Sequence, residues 1–247
     1  MLVLALALSL LIGVALGLLG GGGSILTLPI LTYVVGMDAK AAIAASLFVV
    51  ATTSAFGLIA HARAGRVRWR TGLIFGGAGM VGAYVGGRLA AYLPAKLLMV
   101  LFAMMMVATA VAMLRGRRQG AVTAVRELPV GKVLLEGVLV GVVTGIVGAG
   151  GGFLVVPALV LLGGLGMEAA VGTSLVVISM KSFAGFYGHL GHVSLDWKIM
   201  LLVTLAAVIG SFGGGALAGR IPPATLRKGF GIFVLVMAAF ILSKELL

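Results

Sequence analysis

Apolar side chains run along this chain in long blocks separated by short polar connections. Six blocks are uninterrupted and close to the roughly 20 residues that a helix needs to cross a hydrocarbon layer of about 30 Å. They run from about Ala41 to Ala60, Thr71 to Tyr92, Leu97 to Leu114, Ala169 to Leu190, Ile199 to Ala218 and Gly229 to Leu242. Two longer blocks, Leu2 to Val35 and Val133 to Leu165, are interrupted by glycines and a proline. The blocks lack the alternation of polar and apolar residues that a membrane β-barrel requires. The pattern predicts an all-α, polytopic membrane protein.

Shifted by 128 residues, the sequence falls on itself. Gly13, Gly17, Gly20, Gly22, Gly23 and Pro29 land on Gly141, Gly145, Gly148, Gly150, Gly151 and Pro157, and His61 and Trp69 land on His189 and Trp197. A shared apolar composition does not bring rare Pro, His and Trp into one register, so the chain reads as two homologous repeats. Residues 1–114 form the first and 133–247 the second, joined by a basic linker, 115–132, and each holds a Gly-broken or re-entrant segment plus three transmembrane helices. Matched interruptions in two repeats are the sequence mark of a secondary transporter and of its binding site.

If each broken segment dips in and returns, the repeats are inverted and the basic residues divide twelve on the cytoplasmic side against five outside; a single crossing gives parallel repeats and eleven against six. The stretch Ser24 to Gly36 makes only about 20 Å of helix, too short to span. Inverted repeats are therefore expected over parallel ones.

Composition strengthens the membrane reading. Of 247 residues 62% are hydrophobic and 10% charged, with a mean hydropathy of +1.26, more apolar surface than a soluble domain of this size hides. The net charge of +12 sits in short connections, as in cytoplasmic loops, which argues against nucleic acid as a partner. No cysteine is present, so there is neither disulfide nor thiolate chemistry. Residues 1–23 lack a basic leader and their pattern recurs deep inside the chain, so they are expected in the mature protein.

A glycine run in a buried helix frees backbone groups that lipid cannot satisfy. Glycines also let an oxyanion approach the main chain, and the helix that restarts after them offers unpaired N–H groups. The breaks, with Gly21, Gly22, Gly23 and Ser24 in one repeat and Gly150, Gly151 and Gly152 in the other, are thus expected to meet at the repeat interface and cradle an anion. Isolated pairs such as Gly86 and Gly87 read instead as helix-packing positions. A dinucleotide fingerprint is excluded, since Phe153 stands where its third glycine belongs.

Lys181 lies about ten residues from either end of an apolar block that holds no carboxylate. A lysine at mid-membrane costs about 2.5 to 3.5 kcal/mol on insertion scales and marks a functional site. Its repeat mate is Thr53, so the expected pocket is asymmetric: one cation, with hydroxyls from Thr53, Ser54, Thr173, Ser174 and Ser182 nearby in sequence. His61 and His189 are mates at equivalent helix ends and could carry coupling protons; anchoring at the interface is the rival reading. No residue set suits a metal, a cofactor or a catalytic triad, so an enzyme is not expected.

The paired segments GLLGGGGSILTLPIL and GIVGAGGGFLVVPAL, the loop HARAGRVRWR, and GAYVGGRLAAYLP with GSFGGGALAGRIP resemble the sulfite exporter TauE/SafE family. The second copy of the loop, HVSLDWK, departs from the first. The resemblance implies a multi-pass protein of the bacterial inner membrane that moves small sulfur-containing anions such as sulfite, sulfonates or sulfoacetate, with Lys181 matching a lysine that some members carry. The expected activity is secondary transport by alternating access, coupled to protons, with an anion channel as the alternative. The oligomeric state is left open, a homodimer being one option.

Overall fold

The computed structural model describes residues 2–19, 24–115, 130–148, 151–161, 165–217 and 223–246. Among them there are helices and no strands. Helix α1 spans Leu2–Leu19 and α2 Ser24–Pro29, which runs on as a π-helical turn, Ile30–Val34. Then follow α3 (Ala39–Arg63), α4 (Trp69–Ala90), α5 (Ala95–Arg115), α6 (Val130–Val147), α7 (Gly152–Leu161), α8 (Met167–His189), α9 (Trp197–Leu217) and α10 (Pro223–Leu246). Both glycine-interrupted blocks end their first helix at the glycines, after Leu19 and Val147. The helices that begin at residues 2, 24, 39, 69 and 95 have counterparts beginning 128 residues later, at 130, 152, 167, 197 and 223.

Helices α3, α4, α8 and α9 are long and apolar enough to cross a membrane. Asp38 caps α3 by accepting from the Lys40 N–H, and Asp196 caps α9 by accepting from the Ile199 N–H. Both carboxylates thereby stay at helix ends. Faces are sorted by size rather than polarity, because lipid offers no hydrophobic drive to bury large side chains. On α4, Gly72, Gly76, Gly79, Gly82, Gly86 and Gly87 are buried while Leu73, Val81, Tyr84 and Val85 face outward.

Four Gly-x-x-x-Gly pairs set the helix neighbours. On α1, Gly13 lies against Ala207 and Ser211 of α9, and Gly17 against Ser211 and Gly215; in return Gly210 and Gly214 lie against Val14. On α6, Gly141 and Gly145 lie against Ala83 of α4, while Gly82 and Gly86 lie against Val142. Contact numbers rise together along each pair, so α1 runs parallel to α9 and α6 parallel to α4. Helix α8 runs parallel to α4, through Gly72 on Thr173 and Gly87 on Gly188, and α3 runs parallel to α9, through Gly57 on Ser211 and Ala60 on Gly215. Helices α3 and α8 are antiparallel, with Gly57 facing Leu175 and Gly185 facing Leu47. Midway between those contacts, Thr52 and Met180 mark the crossing of the two helices.

Candidate functional site

The glycine face of α4 lets α8 approach so closely that a Cβ placed on Gly79 would stand 3.7 and 3.8 Å from the Cβ and Cδ of Lys181. That leaves Lys181 1% exposed, about one residue from the α3/α8 crossing, so its ammonium does not snorkel to an interface. Nζ donates to Thr144 Oγ1 at 3.3 Å. The Thr144 hydroxyl gives its own proton back to Val140 O at 2.8 Å, which leaves its oxygen free to accept from the lysine. Two of the three ammonium donors have no acceptor among the described residues.

Those donors sit beside a turn that only glycine can make. Gly148 and Gly151 have φ of +74° and +57°, in the left-handed region where a Cβ is penalised. A side chain on Gly151 would overlap Lys181 Nζ and the Thr144 methyl; one on Gly148 would overlap Ile43. The N–H groups of Leu154 and Val155 both reach Gly151 O at 3.1 Å, which leaves those of Gly152 and Phe153 at the start of α7 without an intrahelical acceptor. An ammonium and a helix N-terminus thus converge at buried backbone that no side chain covers, an arrangement suited to an oxyanion.

No carboxylate pairs with Lys181 among the described residues. Asp38 and Asp196 serve as caps, and Glu168 meets Arg66 at 3.8 Å near the surface.

The other candidates do not form one cluster. Thr53, Ser54 and Ser182 are buried within a turn of the α3/α8 crossing, and their hydroxyls have no partner among the described residues. Thr173 instead accepts from the Arg68 N–H at 2.9 Å, eight residues or about 12 Å of helix from Lys181. Ser174 bonds Val171 O at 2.7 Å on that same side. Ser24 opens α2 and is buried; Gly152 opens α7. Gly21, Gly22, Gly23 and Gly150 lie outside the described residues.

The last described turns of α1 and α6, ahead of the two breaks, lie at different levels of α3, while the helices that restart after the breaks, α2 and α7, are in contact. Gly148 lies against Ile43 and Ser46 near the start of α3, whereas Gly17, just ahead of the other break, lies at His61 near its end. Fifteen residues of α3 separate Ser46 from His61, roughly 22 Å. Helices α1 and α6 belong to oppositely directed helix sets, so their described C-terminal turns lie toward different ends of α3.

The histidines are buried rather than interfacial. His61 Nε2 lies 3.2 Å from Gly17 O and His189 Nε2 lies 3.0 Å from Gly145 O. A carbonyl only accepts, so each Nε2 carries the proton and closes an orphan carbonyl in the last turn of α1 or α6. Ser46 Oγ does the same for Gly148 O at 2.5 Å.

Two of these partners, Thr144 and Ser46, were not read as site residues from sequence. For Thr144 a signal existed: its mate across the 128-residue shift is Leu16, so Leu16/Thr53 in one half become Thr144/Lys181 in the other.

The sequence model of the family "Sulfite exporter TauE/SafE" matches residues 5–241. A probable membrane transporter protein of Xylella fastidiosa (strain 9a5c) is 34% identical over 242 residues, covering 95% of this chain and 92% of that protein. The probable membrane transporter protein YdhB of Bacillus subtilis (strain 168) is 27% identical over 222 residues, covering 88% and 91%. No solved structure matches the chain. A family match over nearly the whole length, on a fold of apolar helices, means that the chain belongs to the sulfite exporter TauE/SafE family and is a multi-pass membrane transporter.

Proposed function

We propose that the protein is a secondary transporter of small anions of the sulfite, sulfonate and sulfoacetate class. It binds the anion at Lys181, Thr144 and the Gly151–Gly152 turn and exposes it alternately to the two sides. One observation carries this reading: a buried ammonium with no carboxylate partner among the described residues, next to glycine-lined backbone at the start of α7. A charge left uncompensated in a low-dielectric site is costly, and a bound anion removes that cost.

The helix directions support two inverted repeats, 1–114 and 133–247, joined through 115–132. Helix α3 opposes its mate α8, and α1, parallel to α9 and hence to α3, needs α2 as a returning arm. The moving bodies on this reading mix the halves. One is α1, α3 and α9, locked by Gly13, Gly17, Gly210 and Gly214; the other is α6, α8 and α4, locked by Gly82, Gly86, Gly141 and Gly145. They meet at the α3/α8 crossing, where Thr53, Ser54, Lys181 and Ser182 stand.

Protons are the coupling ion in this scheme, carried by His61 and His189 while Nε2 holds the helix carbonyl. The test is counterflow of labelled sulfite in proteoliposomes. Saturable uptake, accelerated by internal unlabelled sulfite and by a pH gradient, is expected. Unitary currents would instead show a channel, and no flux of any sulfur oxyanion would reject the substrate class. Glutamine keeps a donor at the reach of Nε2 but does not titrate. The variants His61→Gln and His189→Gln should therefore retain counterflow and lose the acceleration by the pH gradient; full acceleration in both would move the coupling elsewhere.

A further inference from the structure

We propose that the site at Lys181 selects monoanions over dianions; this rests on the transport reading above and fixes the charge of its substrate. Around the α3/α8 crossing the two halves differ at several mate positions, and one pair of them sets the charge. In the second half Lys181 and Thr144 are hydrogen-bonded; in the first half the same two positions hold Thr53 and Leu16, both fully buried. Ser54 and Ser182, mates of one another, are unchanged.

The crossing therefore holds one ammonium and, in the hydroxyls of Thr53, Ser54 and Ser182, only neutral groups without partners among the described residues. Among the lysines and arginines whose side chains are described, Lys181 is the only buried one; Lys40 and Arg66 are half-buried and the rest of that set is exposed. Among the basic residues whose side chains are described, none besides Lys181 is within the core to meet a second negative charge.

A monoanion bound to Lys181 makes the site neutral. A dianion makes it net negative in a low-dielectric interior, where an uncompensated charge is disfavoured far more than in water. The unpartnered hydroxyls suit the neutral remainder of the ligand, its further oxygens or a short organic tail bearing no charge. Bisulfite and simple alkanesulfonates fit this charge balance; sulfate, doubly ionised sulfite and sulfoacetate do not, which narrows the class proposed above to its singly charged members.

The experiment uses two sulfonates whose charge does not change with pH, methanesulfonate as the monoanion and ethane-1,2-disulfonate as the dianion. Each is titrated calorimetrically against the full chain in lipid nanodiscs at one ionic strength. Methanesulfonate is expected to bind at least about tenfold more tightly. The double variant Leu16→Thr, Thr53→Lys places a second pair at the mate positions and should raise the disulfonate affinity by at least about tenfold. A disulfonate that binds the unaltered protein as tightly as methanesulfonate overturns the charge rule, whatever the fate of the double variant. Binding that is lost in Lys181→Ala but does not discriminate charge removes this inference alone. Methanesulfonate binding that is unchanged in Lys181→Ala, or absent from the unaltered protein, removes the transport site with it.

Discussion

Gly82→Val, or its mate Gly210→Val, should prevent the protein from being isolated as a folded, monodisperse species. A Cβ at Gly82 would overlap Val138 O and Val142 N, and one at Gly210 would overlap Leu10 O and Val14 N. These obstacles are main chain inside regular helices, so relief requires α4 and α6, or α1 and α9, to move apart along their length. Overpacking of a side-chain core costs about 1 to 3 kcal/mol, and separating two backbones that touch exceeds the upper end of that range. The control is Gly77→Ala on the same helix α4, where an added Cβ meets nothing within 4 Å. That change should leave the melting temperature unchanged or raise it, through about 0.8 to 1.0 kcal/mol of helix propensity. Fluorescence-detected size exclusion and thermal melts of the variants in one detergent would check both. Equal behaviour of Gly82→Val and Gly77→Ala would refute the glycine-locked pairing.

Lys181→Met should make the protein inactive and, without substrate, more stable. Methionine has similar length and no charge, so the packing against Gly79 is kept while an ammonium lacking a carboxylate partner leaves the interior. Replacing a buried charge by a packed apolar group is stabilising by about 1 to 4 kcal/mol where data exist. Sulfite flux should fall by at least about thirtyfold, since truncating one partner of a buried charged pair costs about 2 to 5 kcal/mol of binding. Gain of stability with loss of function is the signature of a group kept for ligand rather than for folding. A Lys181→Met protein that melts lower and transports normally would make the lysine a brace for Thr144 and nothing more.

Much of this arrangement was legible in the sequence, for physical reasons that also set the limit. Hydropathy marked the long helices because lipid demands unbroken apolar runs, and the glycine runs marked where α1 and α6 stop. The 128-residue register also appears in where each helix begins. Helix neighbours were not legible. An apolar helix in lipid has no polar face to declare which side is inward, so Gly82 and Gly210 announced close packing without naming α6 and α1 as partners. For the same reason Thr173, a hydroxyl two turns into α8, could not be told from a pocket residue, although it caps the Arg68 N–H. The breaks are expected together because their sequences match, but a sequence match does not declare helix direction, and the described ends of α1 and α6 lie at different levels of α3. Lys181 stood out by its cost alone, whereas Thr144 becomes visible only when both members of the pair are compared with Leu16 and Thr53.

The central claim is that an oxyanion sits at Lys181, and selenite, the selenium analogue of sulfite, locates it directly. Crystals grown with selenite and measured at the selenium absorption edge are expected to show one buried anomalous peak, within hydrogen-bonding reach of Lys181 Nζ and beside Gly151. The peak should vanish in Lys181→Met. A buried peak at another place, or one beside Gly151 that persists after the lysine is replaced, would contradict the account.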